Sequence, residues 1–215
     1  METQSLWSLY TLLAALFILA AVFYVYERRG VSAREAALIA TLSALAGLSR
    51  VPFAGLPAIQ PTTFMVIVAG RVFGPGAGFM VGALASLVSN MFLGHGPWTP
   101  WQMLAWGVAG LTGGLFKYLF SRDNRWALVI LALLWGFLFG WFMNVWHWVT
   151  FVHPLTLSSF FTVQATSLWF DAVHGLSSAV FMLLAGGELI KILDRFRRRL
   201  SYTRVESEIE NNSSP

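Results

Sequence analysis

The sequence predicts an all-α integral membrane protein with seven spanning helices and no soluble domain. Three observations carry that expectation. Hydrophobic residues make up 57% of the chain and charged residues 11%, with a mean hydropathy of +0.66. A water-soluble domain of 215 residues needs far more charge to cover its surface. Seven apolar stretches follow one another with only short connections. Finally, 13 of the 14 Lys and Arg fall in four clusters: Arg28, Arg29 and Arg34; Arg71; Lys117, Arg122 and Arg125; and Lys191 through Arg204. Only Arg50 lies apart from them. Positive residues are retained on the cytoplasmic side of a bilayer, so the clusters predict an N-terminus outside and a C-terminus inside.

The segments are taken in order. The first, 6–26, resembles a signal peptide in length, but its positive charges follow it and no small-x-small site closes it, so it is a retained helix. The next are 34–49 and 61–74, the latter short for a span of about 20 residues and bounded by Pro61 and the Gly74-Pro75 turn. Then come 76–94, 101–120, 126–150 and 162–189. Counting outside to inside places all four basic clusters in the cytoplasm, and removing any one segment would scatter them. On the outer face, 50–60 holds Pro52 and Pro57 and is expected to be an ordered loop rather than a helix. There too, 94–100 is a tight Gly/Pro turn and 153–159 a polar connection with Pro154. Trp98, Trp101, Trp146 and Trp148 lie at this face, where indoles favour the headgroup layer. The tail, 199–215, is expected to be disordered.

Composition also excludes functions. There is no cysteine, so disulfides, thiolate chemistry and Cys-ligated metals are ruled out. A pI near 9.9 invites a nucleic-acid reading. The basic residues lie in juxtamembrane clusters instead of along one soluble face, which fits anionic lipid heads or a cytoplasmic partner. No nucleic-acid partner is expected.

Ala36, Ala40 and Ala44 recur at spacing four, with Ala33, Ala37 and Ser43 beside them. Residues four apart share a helix face, and small residues let two helices in lipid approach closely. The stripe packs either inside the protein's own bundle or against another membrane subunit. Gly74-Pro75-Gly76-Ala77-Gly78 has the look of a phosphate-binding loop, but no Lys-Ser/Thr follows and no strand precedes it. A tight turn with close helix packing is the expectation there.

Asp171 and His174 stand three apart on the last segment and can meet. With a helix start near Thr162, Asp171 lies about 13 Å deep, where an acid is costly and faces a partner or a cavity. Either the pair locks two helices by a polar bond, or it contacts a ligand or moves a proton. No further His or carboxylate follows at ligand spacing, so no metal site is expected. A wider set of polar groups sits at similar depth in the outer half: Arg50, Gln60, Thr62, Thr63, Asn90, Gln102, Asn144 and His147. With Phe53, Trp98, Trp101, Trp148 and Trp169 nearby, they have the composition of a small-molecule pocket, mostly apolar with a few directing hydrogen bonds. The competing reading is that each is an interfacial residue wetted by headgroups.

Four stretches together resemble the substrate-binding S component of an energy-coupling factor (ECF) vitamin transporter. The run 33–46, with its Ala-x-x-x-Ala repeats, resembles the family's first core helix. Gln60-Pro61-Thr62-Thr63-Phe64 and the run 69–78 resemble the second core helix and its turn. The run 89–102, Ser-Asn-Met-Phe-Leu-Gly-His-Gly-Pro-Trp-Thr-Pro-Trp-Gln, resembles members associated with cobalamin or related corrinoids.

The resemblance implies a six-helix core over 33–198, preceded by an extra transmembrane helix and basic linker over 1–32. It implies a binding subunit of the cytoplasmic membrane that takes a vitamin from outside beneath the 50–60 loop. Docking through Ala36, Ala40 and Ala44 would be onto a T component coupled to two ATP-binding subunits. No catalytic residue, metal or resident cofactor is implied, and the vitamin is the ligand. The substrate-binding set would be Arg50, Phe53, Gln60, Thr62, Thr63, Asn90, Trp98, Trp101, Gln102, Asn144, His147, Trp148, Trp169 and Asp171. A corrinoid is the expected substrate, with riboflavin or a queuosine precursor as alternatives. An intramembrane enzyme using Asp171, His174 and His147, or a ligand-free scaffold, would account for the same residues. A channel, by contrast, would line a continuous polar path, and an inverted-repeat transporter would show matching broken helices.

Overall fold

The computed structural model describes residues 2–119 and 124–199. Among the described residues the chain is all-helical, with α1 (Glu2–Glu27), α2 (Ala33–Leu48), α3 (Thr62–Phe73), α4 (Pro75–Leu93), α5 (Thr99–Leu119), α6 (Arg125–Phe151) and α7 (Leu157–Phe181). A single 3₁₀ turn, Val51–Phe53, lies in the loop after α2. Beyond α7 a π turn, Met182–Gly186, leads into helix that continues to Arg199. Five of these helices are long and apolar enough to cross a membrane. This is the multi-pass all-α fold that the hydropathy predicts.

The centre of the molecule is the mutual packing of α3, α4 and α5. At 12 residues, α3 is about 18 Å long, well short of a bilayer core of ~30 Å. It survives because nearly all of it, Thr62 to Val72, is buried by protein rather than lipid, and non-spanning backbone is tolerated in a membrane only under that condition. Glycines bring the three helices close together. A methyl on Gly70, Gly78 or Gly110 would overlap backbone of the neighbouring helix, and one on Gly82 would overlap the carbonyl of Trp106. The glycine-rich segment is therefore a packing device, as expected. Gly74, at φ +99°, makes the α3–α4 turn in a conformation that side chains resist.

The extra helix α1 packs on α5 and α6 through Ala15 and Leu19. At its end the Tyr26 hydroxyl donates to Glu35 Oε1 at 2.5 Å, pinning α1 to the start of α2. α2 itself packs on α4 and α3 through Ile39, Leu42, Ser43, Ala46 and Gly47. Its opposite face, with Ala36 and Ala40, is exposed, and Ala44 is half-buried.

The basic residues gather at one end of the bundle. Arg29 stands beside Gly76, and Arg197 donates to the carbonyl of Val72 at 2.7 Å. Arg125 reaches the carbonyl of Leu183. Arg122, Arg204 and the tail beyond Arg199 lie outside the described residues.

The last helix departs from the expected 162–189 at both ends. It begins at Leu157 because Thr156 and Ser159 form a reciprocal capping box, so the polar stretch read as loop is a helix start. Toward its other end it runs on past 189 and is helical as far as the described residues extend, to Arg199. Counted from Leu157, Asp171 lies about 21 Å along the helix instead of 13.

Candidate functional site

The shortness of α3 shapes the end of the bundle opposite the basic residues. Thr63, in its first turn, meets Trp106, which is seven residues into α5. The start of α3 therefore sits about 10 Å below the start of α5. The 50–60 loop reaches this level, where Ala58 and Gln60 meet Ser177 and His174 of α7 and make a floor with the start of α3.

A chain of hydrogen bonds crosses that floor. The Trp106 indole N–H donates to Thr63 Oγ1 at 3.1 Å, and Thr63 Oγ1 lies 2.9 Å from His174 Nε2. An indole N–H only donates, so the Thr63 oxygen accepts there, while its role toward His174 follows the imidazole tautomer. Gln60 Nε2 approaches the same nitrogen at 3.4 Å. Phe139 closes the floor, stacked on Trp106 at 4.7 Å and edge-on to His174 at 5.1 Å. Above Trp106 lies the Arg50 guanidinium, 5.2 Å from the ring centroid, with Nη1 3.3 Å from Ser89 Oγ. That placement combines cation–π attraction with one hydrogen bond.

The α4–α5 wall continues the polar surface. Asn90 Nδ2 donates to Gln102 Oε1 at 2.7 Å and to Thr99 Oγ1 at 3.1 Å, all three residues being buried. Trp101 packs on Phe142 with its indole N–H buried and without a hydrogen-bond partner among the described residues. Trp98 joins this wall to α6, edge-on to Trp146 at 6.0 Å.

A second polar ladder runs along the α6–α7 seam. Asn144 Nδ2 donates to Gln164 Oε1 at 2.8 Å and to Ser167 Oγ at 2.7 Å, and Ser167 donates to Asp171 Oδ2 at 2.8 Å. Asp171 is 4% exposed and lies against Gly140, where a methyl would overlap the carboxylate. His174 is 3% exposed and turns the other way, to α3. The two residues thus serve different helices, Asp171 joining α7 to α6 and His174 joining α7 to α3.

Of the residues named from the sequence, the floor and wall bring together Arg50, Gln60, Thr63, Asn90, Trp101 and Gln102. Phe53 packs edge-on to Phe181 and holds the loop to α7. Thr62 is fully buried and donates to the carbonyl of Ala46, clipping α3 to α2 instead of facing the floor. Trp148 donates to Ser159 and packs on Phe160, bracing the α6–α7 turn. His147 is exposed, its ring against Trp146 and Phe151. Trp169 stands apart from the site. It is 74% exposed, because two residues from Asp171 is about 200° around a helix. Contributors not singled out from the sequence include Ser89, Trp106, Phe139, Ser167 and Gln164. Trp106 and Ser89 read as ordinary interior residues, and no local pattern marks them. Gln164 stands seven residues before Asp171, two turns along the same face, and that periodicity was a usable signal. Among the described residues no three His, Cys, Asp or Glu side chains gather.

Comparison with known proteins fixes the family. The family model described as "ECF-type riboflavin transporter, S component" matches residues 31–194, most of the chain. The chain belongs to the ECF-type S components. The match begins after α1, so the leading helix stands outside the shared core. Among curated proteins, a UPF0397 protein of Aliivibrio salmonicida is 35% identical over 96 residues, covering 42% of this chain and 52% of that protein. A UPF0397 protein of Aliivibrio fischeri is 32% identical over 123 residues, covering 51% of this chain and 66% of that one. One of Vibrio atlanticus is 37% identical over 90 residues, covering 40% of this chain and 49% of its own length. The matches thus span between about half and just under two thirds of these relatives. No solved structure matches. The family is one of transporter subunits and not of enzymes.

Proposed function

We propose that this S component captures a vitamin at the outer face of the cytoplasmic membrane and hands it to an ATP-driven import module. The observation that carries the reading is the sunken floor at the end opposite the basic clusters. There a loop and four helices supply Arg50, Gln60, Thr63, Asn90, Gln102 and His174 around the Trp106 ring. Aromatic rings with a few fixed polar groups are the composition of a small-molecule site, and here those groups other than Arg50 are buried together. The positive-inside bias supports an orientation with the N-terminus outside and the C-terminus in the cytoplasm.

Docking onto a T component, itself joined to two ATP-binding subunits, is assigned to the Ala36, Ala40 and Ala44 face of α2. Its support is that α1 lies on α5 and α6 and leaves Ala36 and Ala40 exposed. The substrate assigned is a flat heterocyclic vitamin of the riboflavin type. The family description favours it over the corrinoid suggested by the run 89–102, as does the close mutual bonding of the floor side chains.

Mass spectrometry of the protein purified in mild detergent tests the whole reading. The expected result is one retained vitamin near one per chain. Recovery of cobalamin replaces the substrate assignment. An empty protein that binds neither riboflavin nor cobalamin removes the capture role and leaves the scaffold.

A further inference from the structure

The floor and walls hold more hydrogen-bond donors than they use. Arg50 carries five N–H donors in a rigid fork, and the structure commits one nitrogen, at 3.3 Å, to Ser89. Among the described residues no carboxylate pairs with it; the one ion pair is Lys191 with Glu188, at the basic end. Asp171 is the acid at comparable height, but its carboxylate is turned to Ser167 and against Gly140 on α6. Two further N–H groups are buried without an acceptor among the described residues, Trp101 Nε1 and Gln164 Nε2. The Gln164 amide is held in that sense because its oxygen accepts from Asn144. A partly buried cation without a counter-charge is costly inside a membrane protein. An unpaired buried donor adds to that cost. Arg50 asks for negative charge, and the Trp101 and Gln164 N–H groups for an acceptor atom.

We propose that the ligand of this site carries an oxyanion, a carboxylate or a phosphate, and that Arg50 is the residue that recognises it. The inference rests on the capture reading above and adds the charge of the substrate to it. Arg50 stands at the 50–60 loop, on the side a ligand would enter, with its guanidinium plane already oriented by the Trp106 ring. An oriented fork loses little freedom when it meets two oxygens, which is the geometry that favours Arg over Lys for this task. Its isolation in the sequence has the same explanation. A basic residue on the outer side opposes the orientation bias that the other 13 set, so its position requires a local use.

Flavins supply matched probes. The full-length protein in nanodiscs of zwitterionic lipid is titrated with riboflavin, with riboflavin 5′-phosphate, and with a flavin bearing a carboxymethyl group in place of the phosphate. At least one charged flavin is expected to bind about tenfold more tightly than riboflavin, the scale of one charge-assisted pair. Which one does so distinguishes phosphate from carboxylate. In Arg50→Gln that preference is expected to fall to about twofold or less, and Arg50→Lys is expected to keep part of it. Equal affinity for neutral and charged flavins in the native protein overturns the proposal, as does a preference that survives Arg50→Gln. Should no flavin bind while another vitamin co-purifies, the ligand's own charge decides: an oxyanion supports the role of Arg50 and a neutral molecule overturns it. A protein that retains nothing and binds no flavin fails at the capture reading, which is a different result.

Discussion

Thr63 joins three helices through one hydroxyl, since it accepts from Trp106 of α5 and faces His174 of α7 from its own place in α3. Thr63→Val keeps the volume and removes the hydroxyl, leaving a buried indole N–H and an imidazole nitrogen unpaired. A loss of about 1–3 kcal/mol is expected, read as a lower thermal unfolding midpoint in detergent, with weakened ligand binding because the Trp106 face shifts. If the midpoint does not move, the relay is not what joins these helices. Asp171 belongs to the other ladder. Asp171→Asn keeps an acceptor for Ser167 at the Gly140 contact, so the folded protein is expected with a modest change in binding. Abolition of a chemical turnover by this variant would instead support the enzyme reading. Residue type and depth singled out Asp171, His174, Thr63 and Gln60 in the sequence. Their pairing was not legible there, because i, i+3 spacing permits a contact that the two flanking helices then divide.

At the scale of elements, the decisive contacts are between backbones. Gly70, Gly78 and Gly110 let α3, α4 and α5 approach until any side chain would strike a neighbouring helix. Gly110→Leu is expected to prevent accumulation of folded protein. Gly110→Ala is expected to cost about 1–3 kcal/mol by overpacking, measured by thermal unfolding. Full tolerance of Leu there would mean the helices stand farther apart than the structure places them. The stripe on α2 makes the opposite prediction. Ala40 is exposed, so Ala40→Trp is expected to leave folding and ligand binding intact while abolishing uptake in cells. Loss of binding would place Ala40 in the interior. Hydropathy gave all seven elements, and most ends fell within two residues. The exceptions were the start of α1, at Glu2 and not 6, and α7, whose polar capping residues give its start no apolar signal.

At the scale of the whole molecule, the chain sorts charge along the membrane normal, with the basic clusters at one end and the polar floor at the other. The absence of cysteine makes this directly testable. Single-cysteine variants Ser32→Cys, at the turn between α1 and α2, and His95→Cys, at the turn between α4 and α5, are expected to react with an impermeant maleimide from opposite sides. In intact cells His95→Cys is the one expected to label. Labelling of Ser32→Cys instead inverts the orientation and removes the outward-facing site. By itself the sequence determined that the protein lives in a bilayer, how many helices it has and at which end its cations lie. Those properties sum over local stretches of apolar and charged residues, which need no partner to be read. Only the tertiary structure decided that α1 lies on α5 and α6 and spares the alanine face. It also decided that Trp169 turns outward and that Arg50 comes to rest on Trp106. Such facts depend on how each helix is rotated and which neighbour it meets, and in this bundle that is set by the close packing of glycines far apart in the chain.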